Sequence, residues 1–185
     1  MTAPEPRPTK ADLAAAAGRG VPDVAARGLR VLFCGINPGL YSAATGHHFA
    51  RPGNRFWPAL HQSGFTGRQL APSEEKELLE LGLGITNVVD RSTARADELT
   101  ADELIAGGKK LAGKVRRLRP AWLAVIGVTA YRIAFAQRNA SVGRQDLMIG
   151  GTRVWVLPNP SGLNAHWRPP QLAQEFARLR EAALG

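Results

Sequence analysis

Short apolar runs alternate with amphipathic segments along most of this chain. Three runs of strand length stand out, each ending at polar or turn-forming residues, at 30–34, 84–89 and 122–127. Runs bounded in this way are typical of buried strands in a parallel sheet. A further apolar pair around Gly150-Gly151, within 147–156, predicts a hairpin.

Segments with helical spacing or capping residues separate these runs. Thr9, Ser73 and Thr100 are the expected N-caps of three helices. The full set of predicted helices covers 9–18, 54–63, 73–81, 100–118, 128–136 and 171–184. Strands that alternate with helices predict an α/β fold, a three-layer α/β/α sandwich with a mainly parallel central sheet.

The length of 185 residues is most simply one domain. The first strong strand begins at residue 30, after a Pro- and Ala-rich lead-in. We therefore expect 1–29 to be an N-terminal extension that packs on or precedes the domain, and 30–185 to form that domain.

The chain is strongly basic, with 24 Lys and Arg against 15 Asp and Glu and a formal net charge of +9. Such a balance suggests a polyanionic partner, most often nucleic acid. High arginine content can also reflect a compositional bias of the whole proteome. Because the basic residues form no tail-like run, any binding surface must be assembled by the fold.

Several protein classes are disfavoured by composition. No apolar run approaches the length of a membrane span, and the N-terminus lacks the apolar core of a signal peptide, so a cytoplasmic location is expected. One cysteine, Cys34, excludes an intramolecular disulfide and a four-cysteine metal site. The adjacent His47 and His48 do not have ligand spacing, and we expect no metal.

Two loops share one design. In Arg30–Gly39 and in Val154–Asn164, an apolar strand leads into Asn-Pro and a glycine. The first places Asn37 just beyond the carboxyl end of a strand, where open α/β sheets bind ligands. Taken singly, each Asn-Pro is most simply a turn that ends a strand. Because two occur in one basic domain, we expect the loops to face each other and form the working site.

Four segments together resemble the mismatch-specific uracil-DNA glycosylases, in the thymine-DNA glycosylase branch of the uracil-DNA glycosylase superfamily. They are GINPG at 35–39, HHFARPGNRFWPALHQSGFT at 47–66, TNVVDRST at 86–93 and VWVLPNPSGLN at 154–164. The resemblance covers roughly 30–183. It implies a uracil-DNA glycosylase-like fold in a single catalytic domain.

The resemblance also implies a function in DNA repair. Such an enzyme flips uracil out of the duplex, preferentially from U:G mismatches, and hydrolyses its N-glycosidic bond to leave an abasic site. It needs no cofactor. The implied partner is double-stranded DNA that contains U:G or related mismatches, the implied location is the cytoplasm at the nucleoid, and the chain is expected to be a monomer.

Site residues follow by position in these motifs. The resemblance implies that Asn37 orients the attacking water. As an amide it cannot take the proton from that water, which predicts slow chemistry. The resemblance also implies that Phe49 stacks on the flipped base, the alternative being a phenylalanine of the core, and that Gly39 leaves space for pyrimidines bulkier than uracil. Backbone donors around Ile36 and the Asn159 loop bind the leaving oxygens.

The second loop supplies the implied DNA contacts, from Ser161, Gly162, Leu163 and Asn164. Leu163 is the candidate wedge for insertion into the base stack. Bacterial relatives tend to carry Arg two residues after this leucine, where this chain has Ala165. The contact with the orphaned guanine, and with it the mismatch preference, is therefore less firmly implied here.

Asp90 is a candidate that comes from position alone. It follows the predicted strand 84–89, so its carboxylate can point into the crevice with Asn37 and act as a base or stabilise the sugar cation. The competing interpretation is structural, with Asp90 paired to Arg91 or Arg95 or capping a turn.

Two other functions stay open from the sequence. The first is a non-catalytic or very slow base-flipping protein that only binds damaged DNA. The second is a nucleotide hydrolase of similar layout, which is disfavoured because the chain lacks a Gly-rich phosphate loop with Lys and a carboxylate cluster for Mg²⁺.

Overall fold

A computed structural model describes residues 5–185. Its centre is a five-stranded sheet of order β2-β1-β3-β5-β4, in which only β4 is antiparallel to its neighbour. The strands are β1 (Val31–Gly35), β2 (Leu83–Asn87), β3 (Trp122–Ile126), β4 (Gly143–Ile149) and β5 (Thr152–Leu157). The predicted α/β sandwich with a mainly parallel sheet is confirmed.

Helices cover both faces of this sheet. They are α1 (Lys10–Ala15), α2 (Leu40–Thr45), α3 (Phe56–Gln62), α4 (Ala101–Leu118), α5 (Val128–Ala134) and α6 (Pro169–Leu184). Two 3-10 segments, Pro72–Leu81 and Ala96–Glu98, complete the described elements. No helix within residues 5–185 is both long and apolar enough to cross a bilayer.

Alternation along the buried strands divides the core in two. Phe33 points to the face covered by α3 and α6, where it packs edge-to-face on Phe56 and stacks on Phe176. Leu32 and Cys34 point to the opposite face, which α4 and α5 cover. Both faces are apolar, as expected for a sheet whose strands are fully buried.

Two local predictions need correction. The segment after Pro72 is a 3-10 helix and not an α-helix capped by Ser73; its first turn is instead closed by Glu74, whose carboxylate accepts from the Ala71 N–H at 2.7 Å. The hairpin around Gly150-Gly151 is real but longer, because β4 begins at Gly143.

The segment before β1 is attached to the sheet. Val24 and Ile85 exchange backbone hydrogen bonds of 2.9 and 2.8 Å. Asp23 forms an ion pair of 2.5 Å with Lys114 and accepts a 2.8 Å hydrogen bond from Thr86. Residues 1–4 of the predicted extension lie outside the described residues, and the boundary at residue 30 stays a prediction.

Two glycines let α4 approach the loop that follows β2 and the end of α5. A Cβ at Gly107 would collide with the backbone carbonyl of Val88, and one at Gly108 with the carbonyl of Ala134. Val88 in turn donates its N–H to Gly35 at 2.9 Å. The close packing of α4 therefore fixes the chain that leaves the end of β2.

This packing predicts opposite effects of alanine at three positions in one helix. Gly107→Ala and Gly108→Ala should each lower the free energy of unfolding by about 1–3 kcal/mol, because backbone atoms cannot move aside. Gly113→Ala, where the new methyl meets open space, should raise it by up to about 1 kcal/mol. Urea denaturation of the three variants measures this; equal effects at all three positions would contradict the packing.

Candidate active site

The two Asn-Pro loops meet at a crevice of about 160 Å³ at the carboxyl end of β1. The loop 35–39 forms one wall and the loop 159–161 another, while the long segment between α2 and α3 closes a third side. The predicted pairing of the loops is thus present. The lining residues are Gly35, Ile36, Asn37, Pro38, Gly39, Ser42, His48, Phe49, Arg51, Asn54, Asn87, Ala96, Ile126, Asn159, Pro160 and Ser161.

Asn37 is held by its amide nitrogen. Nδ2 donates to the Arg91 carbonyl and to Thr93 Oγ1, both at 2.8 Å. Thr93 Oγ1 donates its own hydrogen to the Arg95 carbonyl at 2.6 Å, which leaves it an acceptor toward Asn37. Since both amide hydrogens are committed, Asn37 Oδ1 is the free end, and among residues 5–185 it has no hydrogen-bond partner. It is an acceptor with a fixed orientation.

The segment that holds Asn37 is itself anchored to α4. Arg91 forms an ion pair with Glu103, with Nε 2.8 Å from Oε1, and Glu103 also caps α4 through Thr100. These hydrogen bonds, the Arg91 bond first, lower the pKa of the Glu103 carboxyl from 4.5 to about 2. Because folding lowers this pKa, the stabilisation is present above pH 4.5 and is lost only as the pH falls toward 2.

Phe49 lies in the crevice with an unusual backbone. Its φ of 51° is in the left-handed region, which an aromatic residue adopts only when its surroundings force it. The ring stacks on the buried Phe56 with centroids 4.2 Å apart. Next to it, the Ala50 N–H donates to Ser42 Oγ at 3.1 Å. One ring face is therefore supported by the core, and a planar ligand would meet the other.

Behind Phe49, buried polar groups hold the loop. The backbone N–H of His48 donates to Glu75 at 2.8 Å, and the His48 carbonyl accepts from the Trp57 indole at 3.2 Å. His48 Nε2 lies 2.9 Å from the Pro22 carbonyl, which can only accept, so this nitrogen carries the hydrogen. Nδ1 is then an acceptor, 3.4 Å from Asn87 Nδ2.

The second loop is an Asx turn. Asn159 Oδ1 accepts from the Ser161 N–H at 3.0 Å, and Asn159 itself lines the crevice. Its Nδ2 donates to no acceptor among residues 5–185. Asn164 Nδ2 donates back to the Asn159 carbonyl at 3.0 Å. At the tip, Leu163 is 79% exposed, the most exposed of the large hydrophobic residues described.

Most of the predicted site residues are brought together. Ile36, Asn37, Gly39, Phe49 and Asn159 line the crevice. A Cβ at Gly39 would meet nothing within 4 Å, so the space expected beside this residue is present. Ser161 borders the crevice, and Gly162, Leu163 and Asn164 continue from it along the surface.

Asp90 is the exception. Its side chain is 59% exposed and forms an ion pair of 2.7 Å with Lys110 of α4. It does not line the crevice. The preceding Val89 donates its N–H to the Ile36 carbonyl at 2.9 Å, whereas the Asp90 carboxylate reaches Lys110 at the surface. The expectation that Asp90 shares the crevice with Asn37 is therefore corrected; its contact is structural, with Lys110 and not with either predicted arginine.

Sequence reasoning missed several polar residues of the site, among them Ser42, His48, Asn87 and Thr93. Asn87 carried a usable signal, because it ends β2 as Asn37 follows β1, and adjacent parallel strands end at the same edge. Thr93 has no such signal. It reaches Asn37 only because the chain folds back after β2, with Thr93 N–H 3.2 Å from the Pro38 carbonyl.

Metal and thiol chemistry find little support in the described chain. Within residues 5–185, no group of three or more His, Cys, Asp or Glu side chains could hold a metal ion. Burial raises the pKa of the Cys34 thiol far above its usual range, so it stays protonated and unreactive.

The wall between β1 and β2 predicts the effect of a methyl group at Gly35. A Cβ there would lie 2.6 Å from Asn87 Oδ1 and 3.3 Å from the Phe49 ring. Gly35→Ala should therefore displace both side chains and cost about 1–3 kcal/mol in urea unfolding. Gly39→Ala, in the same loop but facing open space, should change stability by less than about 0.5 kcal/mol. A similar loss of unfolding free energy at both glycines would contradict the close packing of Gly35 against Asn87 and Phe49.

Two comparisons with known proteins bear on this geometry. A solution NMR structure of a candidate uracil DNA glycosylase from Methanosarcina acetivorans superposes with a TM-score of 0.63 at 19% identity, over 89% of this chain and 97% of that one. At this identity the similarity shows the fold. The family model of the uracil DNA glycosylase superfamily matches residues 22–182. With nearly its whole length matched, the chain belongs to the uracil DNA glycosylase superfamily.

Proposed function

We propose that this protein is a monofunctional, mismatch-specific DNA glycosylase that removes uracil from U·G pairs. The observation that carries this proposal is the tethered amide of Asn37, whose free Oδ1 faces a crevice at the carboxyl edge of the sheet. Membership of the superfamily supports uracil excision from DNA in general; the mismatch preference is the finer part of the proposal.

In the proposed reaction, cleavage of the bond between C1′ and the base nitrogen runs ahead of water addition. Its electron pair leaves with the pyrimidine, and positive charge develops on the sugar. A water held by Asn37 Oδ1 then adds to C1′ and gives up a proton to solvent. Because an amide oxygen accepts a hydrogen bond but is far too weak a base to take the proton, Asn37 contributes position rather than acid–base catalysis.

The base would occupy the rest of the crevice. Phe49 offers the ring face that Phe56 does not cover, which suits a stacked pyrimidine. The amide hydrogens of Asn159 can donate to a pyrimidine oxygen that becomes negative as the base leaves. The amide of Asn87, held by His48, adds polar groups to read the base edge.

Two features support DNA as the substrate, and the slow chemistry expected of Asn37 favours a mismatch as the preferred target. The +9 charge suits a phosphate backbone, and the exposed Leu163 suits insertion into a base step. A mispair costs less to open than a Watson–Crick pair, so an enzyme with weak chemistry gains most from targets that flip easily. The open space at Gly39 suits pyrimidines with a 5-substituent as well.

Removing the water-positioning group should separate chemistry from binding. Asn37→Ala should lower the single-turnover rate on a U·G duplex about a hundredfold or more, because the attacking water loses its position. Thr93→Val should cost about tenfold, because the Asn37 amide loses one of its two acceptors. Formation of alkali-labile abasic sites at saturating enzyme measures both.

Asp90→Asn is the matched control, since its contact is with Lys110 on the surface. It should leave the rate within about twofold. A wild-type protein that binds and flips U·G uracil without forming abasic sites would overturn the proposal and favour the damage-binding alternative. Equal rates on U·G, U·A and single-stranded uracil would keep the glycosylase and remove the mismatch preference.

A further inference from the structure

Arg55 ties the loop that carries Leu163 to the start of α3. Its Nη1 donates to the backbone carbonyls of Trp167 and Asn164, at 2.7 and 3.2 Å. Its Nη2 donates to the Gly162 carbonyl at 3.2 Å. The Arg55 backbone N–H adds a bond of 2.9 Å to the Pro160 carbonyl. Four carbonyls along 160–167 are therefore gathered on one residue.

The same loop is pressed against its neighbour at one point. A Cβ at Gly162 would lie 2.6 Å from the Gly53 carbonyl, so the two backbones touch directly beside Leu163. Residues 158–168 form neither helix nor strand. Since no strand or helix hydrogen bonds order them, their conformation depends on the bonds from Arg55, on this close approach and on turn bonds within the loop itself, such as those of Asn159 and Asn164.

We propose that Arg55 is a positioning residue that presents Leu163 for insertion into DNA. This inference rests on the proposed function. An exposed leucine on a mobile loop would lose conformational entropy when it enters the base stack, and ordering the loop beforehand removes that cost. The planar guanidinium suits this role because it reaches several carbonyls at once in a rigid fork, which an ammonium group cannot copy.

The contacts distinguish this role from a direct contact with phosphate. The guanidinium hydrogens that reach the loop are directed at its carbonyls, and among residues 5–185 Arg55 has no acidic partner to release on binding DNA. Its charge is satisfied inside the protein by dipoles. Arg55→Lys keeps the charge and loses the fork, so it separates positioning from electrostatics.

The first measurement uses the free protein. Amide hydrogen exchange of 161–168 should rise about tenfold or more in Arg55→Lys, with the rest of the chain unchanged. Arg117→Lys is the matched control, because Arg117 is exposed at the far end of α4. Unchanged exchange in the loop would overturn the proposal. Gly162→Ala disturbs the loop at its contact with Gly53 and should raise the same exchange. It serves as the second test if the Arg55 variant folds poorly.

The second measurement tests whether Arg55 acts through Leu163. Base flipping is followed by 2-aminopurine fluorescence beside a U·G pair, in wild type, Arg55→Lys, Leu163→Ala and the double variant. Arg55→Lys should lower the flipped fraction about tenfold when Leu163 is present. In the Leu163→Ala background it should change the flipped fraction by less than about twofold, because the wedge it positions is gone.

The outcomes separate the two hypotheses. Equal factors in both backgrounds would mean that Arg55 acts on DNA independently of Leu163, and would overturn this inference while leaving the glycosylase intact. Flipping without abasic sites in wild type would overturn the proposed catalysis and leave the role of Arg55 standing. Absence of flipping in wild type would overturn both.

Discussion

An amide nitrogen has two hydrogens, and the site depends on where those of Asn37 go. Both point to the segment that follows β2, at Arg91 and Thr93. That segment is in reach because β1 and β2 pair in parallel, and because Val88 and Val89 continue to donate to Gly35 at the end of β1 and to Ile36 just beyond it. Sheet register, and not the local sequence around Asn37, thus decides that the free end of its amide is an acceptor.

The remaining walls of the crevice are loops, and each is ordered by a side chain that binds backbone. Glu75 holds the segment before Phe49, and Arg55 holds the loop around Leu163. Buried or partly buried charged groups of this kind are stable only with their hydrogen bonds made, so they favour one loop conformation strongly over others. The strained φ of Phe49 is maintained by the Glu75 bond to the preceding residue and by Phe56, which packs beneath the Phe49 ring.

The sequence predicts the strands and the meeting of the two Asn-Pro loops because these follow from apolar runs and turn residues, which are local. It fails where contacts span many residues without a periodic pattern. Thr93 and Arg55 reach partners 56 and about 110 positions away. Asp90 shows the converse error: its place after a strand suggested that it lines the crevice, but its carboxylate pairs with Lys110 at the surface.

Asp90 lies outside the crevice, which limits how the site can lower the reaction barrier. Without that carboxylate, the crevice lining contains only amides, hydroxyls, apolar groups, His48 and Arg51. His48 donates to the Pro22 carbonyl and its other nitrogen faces Asn87, so it is committed to structure. A site without a free base can lower the barrier only by positioning and by stabilising charge on the leaving group. Under the proposed function, discrimination then lies mainly in which bases reach the crevice, so the geometry of the Leu163 loop affects specificity as much as the groups around Asn37 do.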